Sequence, residues 1–296
     1  MRTRLTATAV LTALIVLGLA ATAMAKKDKR YRDDVFKRVS VTRDITYGQA
    51  PASGPYGEAE ELKLDLFQPK NDDLVRGRPV LIFAHGGGFT GGDKASGPAP
   101  VLAKEYAKKG YVTASINYRL NGPPSGCTGA NGVTPECYAA AIDAVHDGQA
   151  AVRWFRVNSR DLAVDKKRIG FGGESAGAIL ACGVGVLEGD PGSSGNAGPS
   201  STVQAVVSIS GGLPGGLFVD SNSAPMLLFA STGDPVVPYS WSVETRDALT
   251  SYSVASQLTT FNSPVHVPFD EFGAKIRKQS TKFVYKQMDV KNARGA

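Results

Sequence analysis

The chain has 296 residues, 42% of them hydrophobic and 20% charged, and a formal net charge of +6. That length is long for one domain but holds a sizeable core and is often reached by α/β proteins as a single unit. The basic excess sits mostly at Lys26 to Arg38 and Lys275 to Lys291, without the aromatic and basic interleaving of a nucleic-acid binder, so solvated tails or a helix face are expected and a nucleic-acid partner is not.

Residues 1–25 read as an export signal. Arg2 and Arg4 start it, Ala7 to Ala21 is apolar apart from threonines, and Ala23-Met24-Ala25 fits a small-x-small cleavage site. The apolar run is shorter than the roughly 20 residues a spanning helix needs. An uncleaved N-terminal anchor is the alternative. No later segment is long and apolar enough to cross a membrane. Residues 26–296 are expected to form one domain in a secreted or periplasmic protein.

Strand-like and helix-like segments then alternate. Val39 to Tyr47 and Leu62 to Phe67 read as strands, the second with leucines on one face and Lys63 and Asp65 on the other. Pro79 to Ala84 is wholly apolar, as a buried parallel strand should be. A helix over Ala99 to Lys109 ends at Gly110. A strand over Tyr111 to Asn117, a helix over Glu136 to Asn158 and a strand over Arg168 to Gly172 follow. Then come a helix from Ala176 to Leu187 and strands over Val203 to Ser210, Pro225 to Ser231 and Gln257 to Asn262. The helix Tyr239 to Tyr252 joins the last two strands, and Phe269 to Met288 closes the chain. Eight strands with crossover helices predict a mostly parallel, doubly wound sheet opened by an antiparallel hairpin. The two glycine- and serine-rich loops, Glu188 to Ser201 and Gly211 to Asn222, are too short for a lid or large cap domain.

Cys127 and Cys137 bracket a loop and are expected to pair if the chain is exported, with two free thiols as the other reading. Cys182 lies in an apolar helix and reads as a buried thiol. No Cys-x-x-Cys or His-x-x-x-His spacing occurs, so no metal site is expected.

In doubly wound sheets the site lies at the carboxyl ends of the strands. Gly173-Glu174-Ser175-Ala176-Gly177 sits between a strand and a helix, the setting of a nucleophile elbow. The sharp turn strains the serine and needs small neighbours, and it holds the hydroxyl beside a helix N-terminus. A serine nucleophile needs a base, and only His85, His146 and His266 are present. His146 is mid-helix and His85 opens a glycine loop, which leaves His266, after the last strand. Asp234, in a Gly-Asp-Pro turn after the Pro225 strand, is the candidate to orient it. Ser175, Asp234, His266 is the α/β-hydrolase order. Asp220 and Glu244 lie in a loop and a helix and fit less well. His85-Gly86-Gly87-Gly88-Phe89 follows the apolar strand, and glycine backbone can approach a substrate closely there. In this motif class the N–H groups of Gly86 and Gly87 would join that of Ala176 to hold an oxyanion, with His85 structural. A phosphate-binding loop is the rival, but neither Walker spacing nor a complete G-x-G-x-x-G is present.

Together, His-Gly-Gly-Gly-Phe at 85–89, Asn117-Tyr118-Arg119, Asp165 to Arg168 leading into Gly173 to Gly177, and Gly233-Asp-Pro-Val-Val-Pro238 resemble the α/β-hydrolase carboxylesterases and lipases over roughly residues 60 to 270. Glu-Ser-Ala-Gly looks like the type-B carboxylesterases and His-Gly-Gly-Gly like the hormone-sensitive-lipase-like esterases. The resemblance implies hydrolysis of a small-molecule carboxylic ester through an acyl-serine, without a cofactor. With no room for a lid, an open cleft and short acyl chains are expected, with Phe89 and Tyr239 near the substrate. Serine hydrolases acting on other bonds or carriers (peptidase, lactonase, polyester depolymerase, polysaccharide acetyl or feruloyl esterase) share these motifs. A catalytically dead binding protein is the more distant alternative.

Overall fold

The computed structural model describes residues 29–53, 55–74, 76–129, 133–187, 189 and 192–293. The expected export signal at residues 1–25 lies outside them. Eight strands form one sheet: β1 (Val39–Ala50), β2 (Glu60–Pro69), β3 (Arg78–Ala84), β4 (Val112–Ile116), β5 (Val164–Glu174), β6 (Ala205–Ile209), β7 (Met226–Ser231) and β8 (Ser256–Phe261), in the order β1-β2-β4-β3-β5-β6-β7-β8. β1 and β2 pair antiparallel, as does β2 with β4; every pairing from β4 through β3 to β8 is parallel.

The crossovers are α1 (Pro98–Lys109), α2 (Pro135–Val157), α3 (Ala176–Val186) and α4 (Tyr239–Ser251), and α5 (Phe269–Gln287) closes the fold. Helices cover both faces, so β3, β4, β6 and β7 are buried at every position and mostly apolar, with Thr113, Ser115, Ser208 and Ser231 among the buried exceptions. On one face Val145, Phe155, Leu180 and Leu249 of α2, α3 and α4 pack with Ile82 and Leu228. On the other, Leu102 and Tyr106 of α1 and Ile276 and Phe283 of α5 pack with Leu81, Phe83 and Phe229.

Two expectations change. Part of the basic N-terminal run is not a solvated tail: Tyr31 is fully buried, and Arg30, 7% exposed, pairs with Asp72 at 2.6 Å. The aromatic ring and the ion pair anchor that segment under α1. β5 also starts earlier than the apolar pattern suggests, because Val164 pairs with Arg78 before a register shift brings Ile169 opposite Val80. The β6–β7 connection, residues 210–225, holds one short 3-10 turn at Pro214–Gly216 and no cap domain.

Candidate active site

Strand ends bring the three candidate residues together. Ser175 follows β5, Asp234 follows β7 and His266 follows β8. His266 Nε2 lies 2.8 Å from Ser175 Oγ, and His266 Nδ1 lies 2.9 and 2.8 Å from the two Asp234 oxygens. An ionised carboxylate only accepts, so Nδ1 carries the proton and Nε2 is free to accept from the serine hydroxyl. Asp234 Oδ1 also accepts the amides of Val236 and Val237 at 2.9 and 3.0 Å, which fixes the carboxylate in its turn. The His266 loop is held by the Val267 amide, which donates to Ser210 Oγ at 3.1 Å. Such a chain can draw a proton off Ser175 as its oxygen attacks a carbonyl.

The elbow is strained as its pattern suggests. Ser175 has φ 54° and ψ −123°, a conformation that costs a non-glycine residue of order 1–3 kcal/mol. Its amide is anchored on Ile209 O at 2.9 Å. Close approach explains Gly177: a Cβ there would lie 2.3 Å from Ala84 O and 2.5 Å from His85 O.

The loop after β3 differs from expectation at one residue. The Gly86 amide donates to Glu174 Oε1 at 3.1 Å and is already engaged there. The amides of Gly87, Gly88 and Ala176 have no hydrogen-bond partner among the described residues. Gly87 and Gly88 have φ 127° and 61°, and a Cβ on Gly87 would lie 1.9 Å from Gly91 O. Ala176 opens α3, where helix amides are unpaired and the dipole favours negative charge.

Beneath this loop is a buried polar floor. His85 stacks on Tyr118 at 4.5 Å between centroids, with its Nδ1 2.7 Å from Gly86 O. Burial holds the His85 pKa below its ordinary value. Tyr118 donates its hydroxyl to His85 O at 2.7 Å. Behind it, Arg119, fully buried, donates its amide and Nε to Asp147 at 2.7 and 3.0 Å, and its Nη2 to Ser194. Glu174 is 4% exposed, and burial pushes its carboxyl up to about 8 against the Gly86 hydrogen bond. The sequence reading used Glu174 and Asn117-Tyr118-Arg119 only as motif letters. Their clue was charge inside otherwise apolar strand ends.

On the other side lies an apolar cavity of about 450 Å³, within the usual range for small-ligand sites. Its lining includes Phe89, Ile179 and Val237, which follow Gly88, Ser175 and Asp234 by one, four and three residues. Phe89 thus lines this cavity. Tyr239 does not: it is absent from the lining, and its hydroxyl pairs with Thr260 Oγ1 on the edge strand at 2.8 Å. Trp241, two positions on, lines the cavity instead, because the α4 turn carries that side chain to the opposite side. Cys127 and Cys137 are bonded, and Cys182 is a buried free thiol. Among the described residues no group of acidic, histidine or cysteine side chains could hold a metal, and no helix is long and apolar enough to cross a membrane.

With this geometry in view, residues 64–213 match the BD-FAE family model, and residues 210–267 match that of the TAP-like proteins. Lipase 1 of Geotrichum candidum is 32% identical over 120 residues, 40% of this chain and 21% of the lipase. The fumonisin B1 esterase of Sphingopyxis macrogoltabida is 35% identical over 130 residues, 41% of this chain and 22% of that enzyme. The chain thus matches about a fifth of the length of these curated relatives. A butyrate-bound thermophilic esterase of Thermogutta terrifontis superposes with a TM-score of 0.64 at 21% identity, over 77% of this chain and 90% of the other.

Proposed function

Because the chain belongs to the BD-FAE family, and with it to the α/β-hydrolase carboxylesterases, we propose that it hydrolyses carboxylic esters through an acyl-serine intermediate. The observation that carries this reading is the unbroken chain from Ser175 Oγ through His266 to Asp234, each link between 2.8 and 2.9 Å. Ser175 Oγ attacks the ester carbonyl while His266 Nε2 takes its proton. Asp234 holds the Nδ1 proton and stabilises the imidazolium. The oxyanion is received by the amides of Ala176 and Gly87, with Gly88 beside them, rather than by Gly86. His266 then gives the proton to the leaving alcohol. A water, deprotonated by the same imidazole, attacks the acyl carbonyl and releases the acid and the free serine.

The substrates we propose are soluble esters with short acyl chains. The lidless 210–225 connection leaves the site open, and the Thermogutta terrifontis esterase carries butyrate. We also propose export through residues 1–25, a reading supported by the disulfide, since such bonds persist in oxidising compartments.

The test is labelling by a fluorophosphonate probe, together with turnover of nitrophenyl esters of rising acyl length. The expected result is labelling of the wild type, none of Ser175→Ala, and turnover that falls on long emulsified chains. A labelled Ser175→Ala variant would sink the mechanism. Faster turnover of long chains would sink the substrate assignment alone.

A further inference from the structure

The disulfide loop touches more of the site than its surface position suggests. Cys137 lies in the first turn of α2, so its bond to Cys127 ties the preceding segment to that helix. From the tied segment three backbone hydrogen bonds run to the catalytic loops. Gly122 N–H donates to Phe89 O at 2.9 Å and Cys127 N–H to Gly88 O at 3.3 Å, both on the glycine loop. Gly129 N–H donates to Val236 O at 2.9 Å, two residues past Asp234. One strap therefore joins the loops that flank Ser175 on either side.

The same strap supplies a wall of the apolar cavity through Cys127, Thr128, Gly129, Val133 and Cys137. None of the described residues that line the cavity is charged. At its mouth Val133, Tyr138, Leu217 and Phe218 are 42–46% exposed. Large side chains left in water around an apolar cavity fit a ligand that covers them on binding. A charged group entering there would lose its hydration with no partner in return.

We propose that the Cys127–Cys137 strap is the specificity-determining element of the site: it shapes the cavity to select esters bearing an uncharged apolar group and to exclude charged ones. This rests on the ester-hydrolase reading above. The sheet and its strand ends position the reacting groups. The disulfide holds one wall of the cavity, and without it the segment 127–129 loses its tie to α2, while Asp234 keeps the amides of Val236 and Val237 and the His266 loop keeps Ser210.

The experiment compares selectivity, not total activity. Wild type and Cys127→Ser/Cys137→Ser are assayed on nitrophenyl acetate and nitrophenyl hexanoate, and on ethyl and benzyl acetate, which separates an apolar acyl half from an apolar alcohol half. The expected result is a fall of about tenfold in the kcat/KM ratio of the larger to the smaller ester in one series, carried by KM, a size typical of losing a pocket contact. A succinate half-ester, rejected by the wild type, is rejected less by the variant. Reductant added to the wild type gives the same change. Val133→Asp, at the exposed mouth, keeps the test open if the double variant does not fold, and it should raise KM for the larger ester more than for the smaller. Equal losses on both esters, or an unchanged ratio in both variants, would overturn the proposal. Failure of the wild type to label at Ser175 would instead sink the underlying ester-hydrolase reading, so the two failures are distinguishable.

Discussion

The two sides of Ser175 are built by opposite means. Below the glycine loop, Glu174, His85, Tyr118, Arg119 and Asp147 form a buried floor of polar and charged groups tied to strand ends. Beside it, the cavity under the disulfide strap is bounded by apolar side chains and has four of them exposed at its mouth. Polar contacts inside a protein are directional and costly to leave unmade, so the floor fixes geometry. Apolar contacts are non-directional, so the cavity can change shape without disturbing the floor. Reaction geometry and substrate choice are thereby assigned to different parts of the molecule.

The sharpest way to break this division is at the reacting atom. Ser175→Ala should lower kcat by about a millionfold, the scale for losing a serine nucleophile, with KM little changed. Single-turnover kinetics on an activated ester would check it. The floor breaks next. Asp147→Ala leaves the fully buried Arg119 with Asp143, at 3.2 Å, as its one charged partner among the described residues. A loss of about 3 kcal/mol of stability is expected, read as a lower urea midpoint at unchanged slope. Gly87→Ala comes third. Positive φ and a Cβ 1.9 Å from Gly91 O force the loop to move, so kcat should fall about a hundredfold, as for losing one oxyanion donor. Gly86→Ala, whose Cβ meets Ser175 Cβ at 3.1 Å, disturbs the elbow too and would not separate the effects.

The sequence made the strand ends legible and the floor much less so. Ser175 and Asp234 could be placed because each follows a run that composition marks as a buried strand, whereas His266 follows the polar, half-exposed edge strand β8 and was reached by the histidine count. The scarcity of histidine narrowed the choice of base. The engagement of the Gly86 amide by Glu174 is not legible, since which amide of a glycine loop points outward depends on φ values and on a carboxylate one strand away. Tyr239 was misplaced for a related reason: at a helix start, neighbours in sequence face different ways, and Trp241 took the cavity side. The strap's three hydrogen bonds are backbone contacts and have no residue signature at all. What the chain hides is tertiary aim, where one side chain or amide must choose between two neighbours.

The smallest expected effect sits at the seam between the two sides. Glu174 adjoins the elbow, accepts the Gly86 amide through Oε1, and has no protein partner for Oε2 among the described residues. Burial raises its pKa from 4.5 to about 8, so the folded protein holds this proton where the unfolded chain has released it. Between those values the native state binds more protons, and stability must fall as pH rises. The contribution is full below about pH 4.5, erodes as pH rises, and is gone once pH passes the folded value of about 8. Above about 8 the ionised carboxylate also sets a negative charge under the amides proposed to receive an oxyanion, and kcat should decline there. Glu174→Gln keeps an oxygen for Gly86 and cannot ionise. Its urea midpoint should gain on the wild type as pH rises from 5 to 8, and its alkaline kcat decline should flatten by severalfold at pH 9. An unchanged alkaline limb in that variant would move the titration elsewhere in the site. His85 is a poor candidate for it, because burial lowers its pKa and leaves it neutral throughout that range.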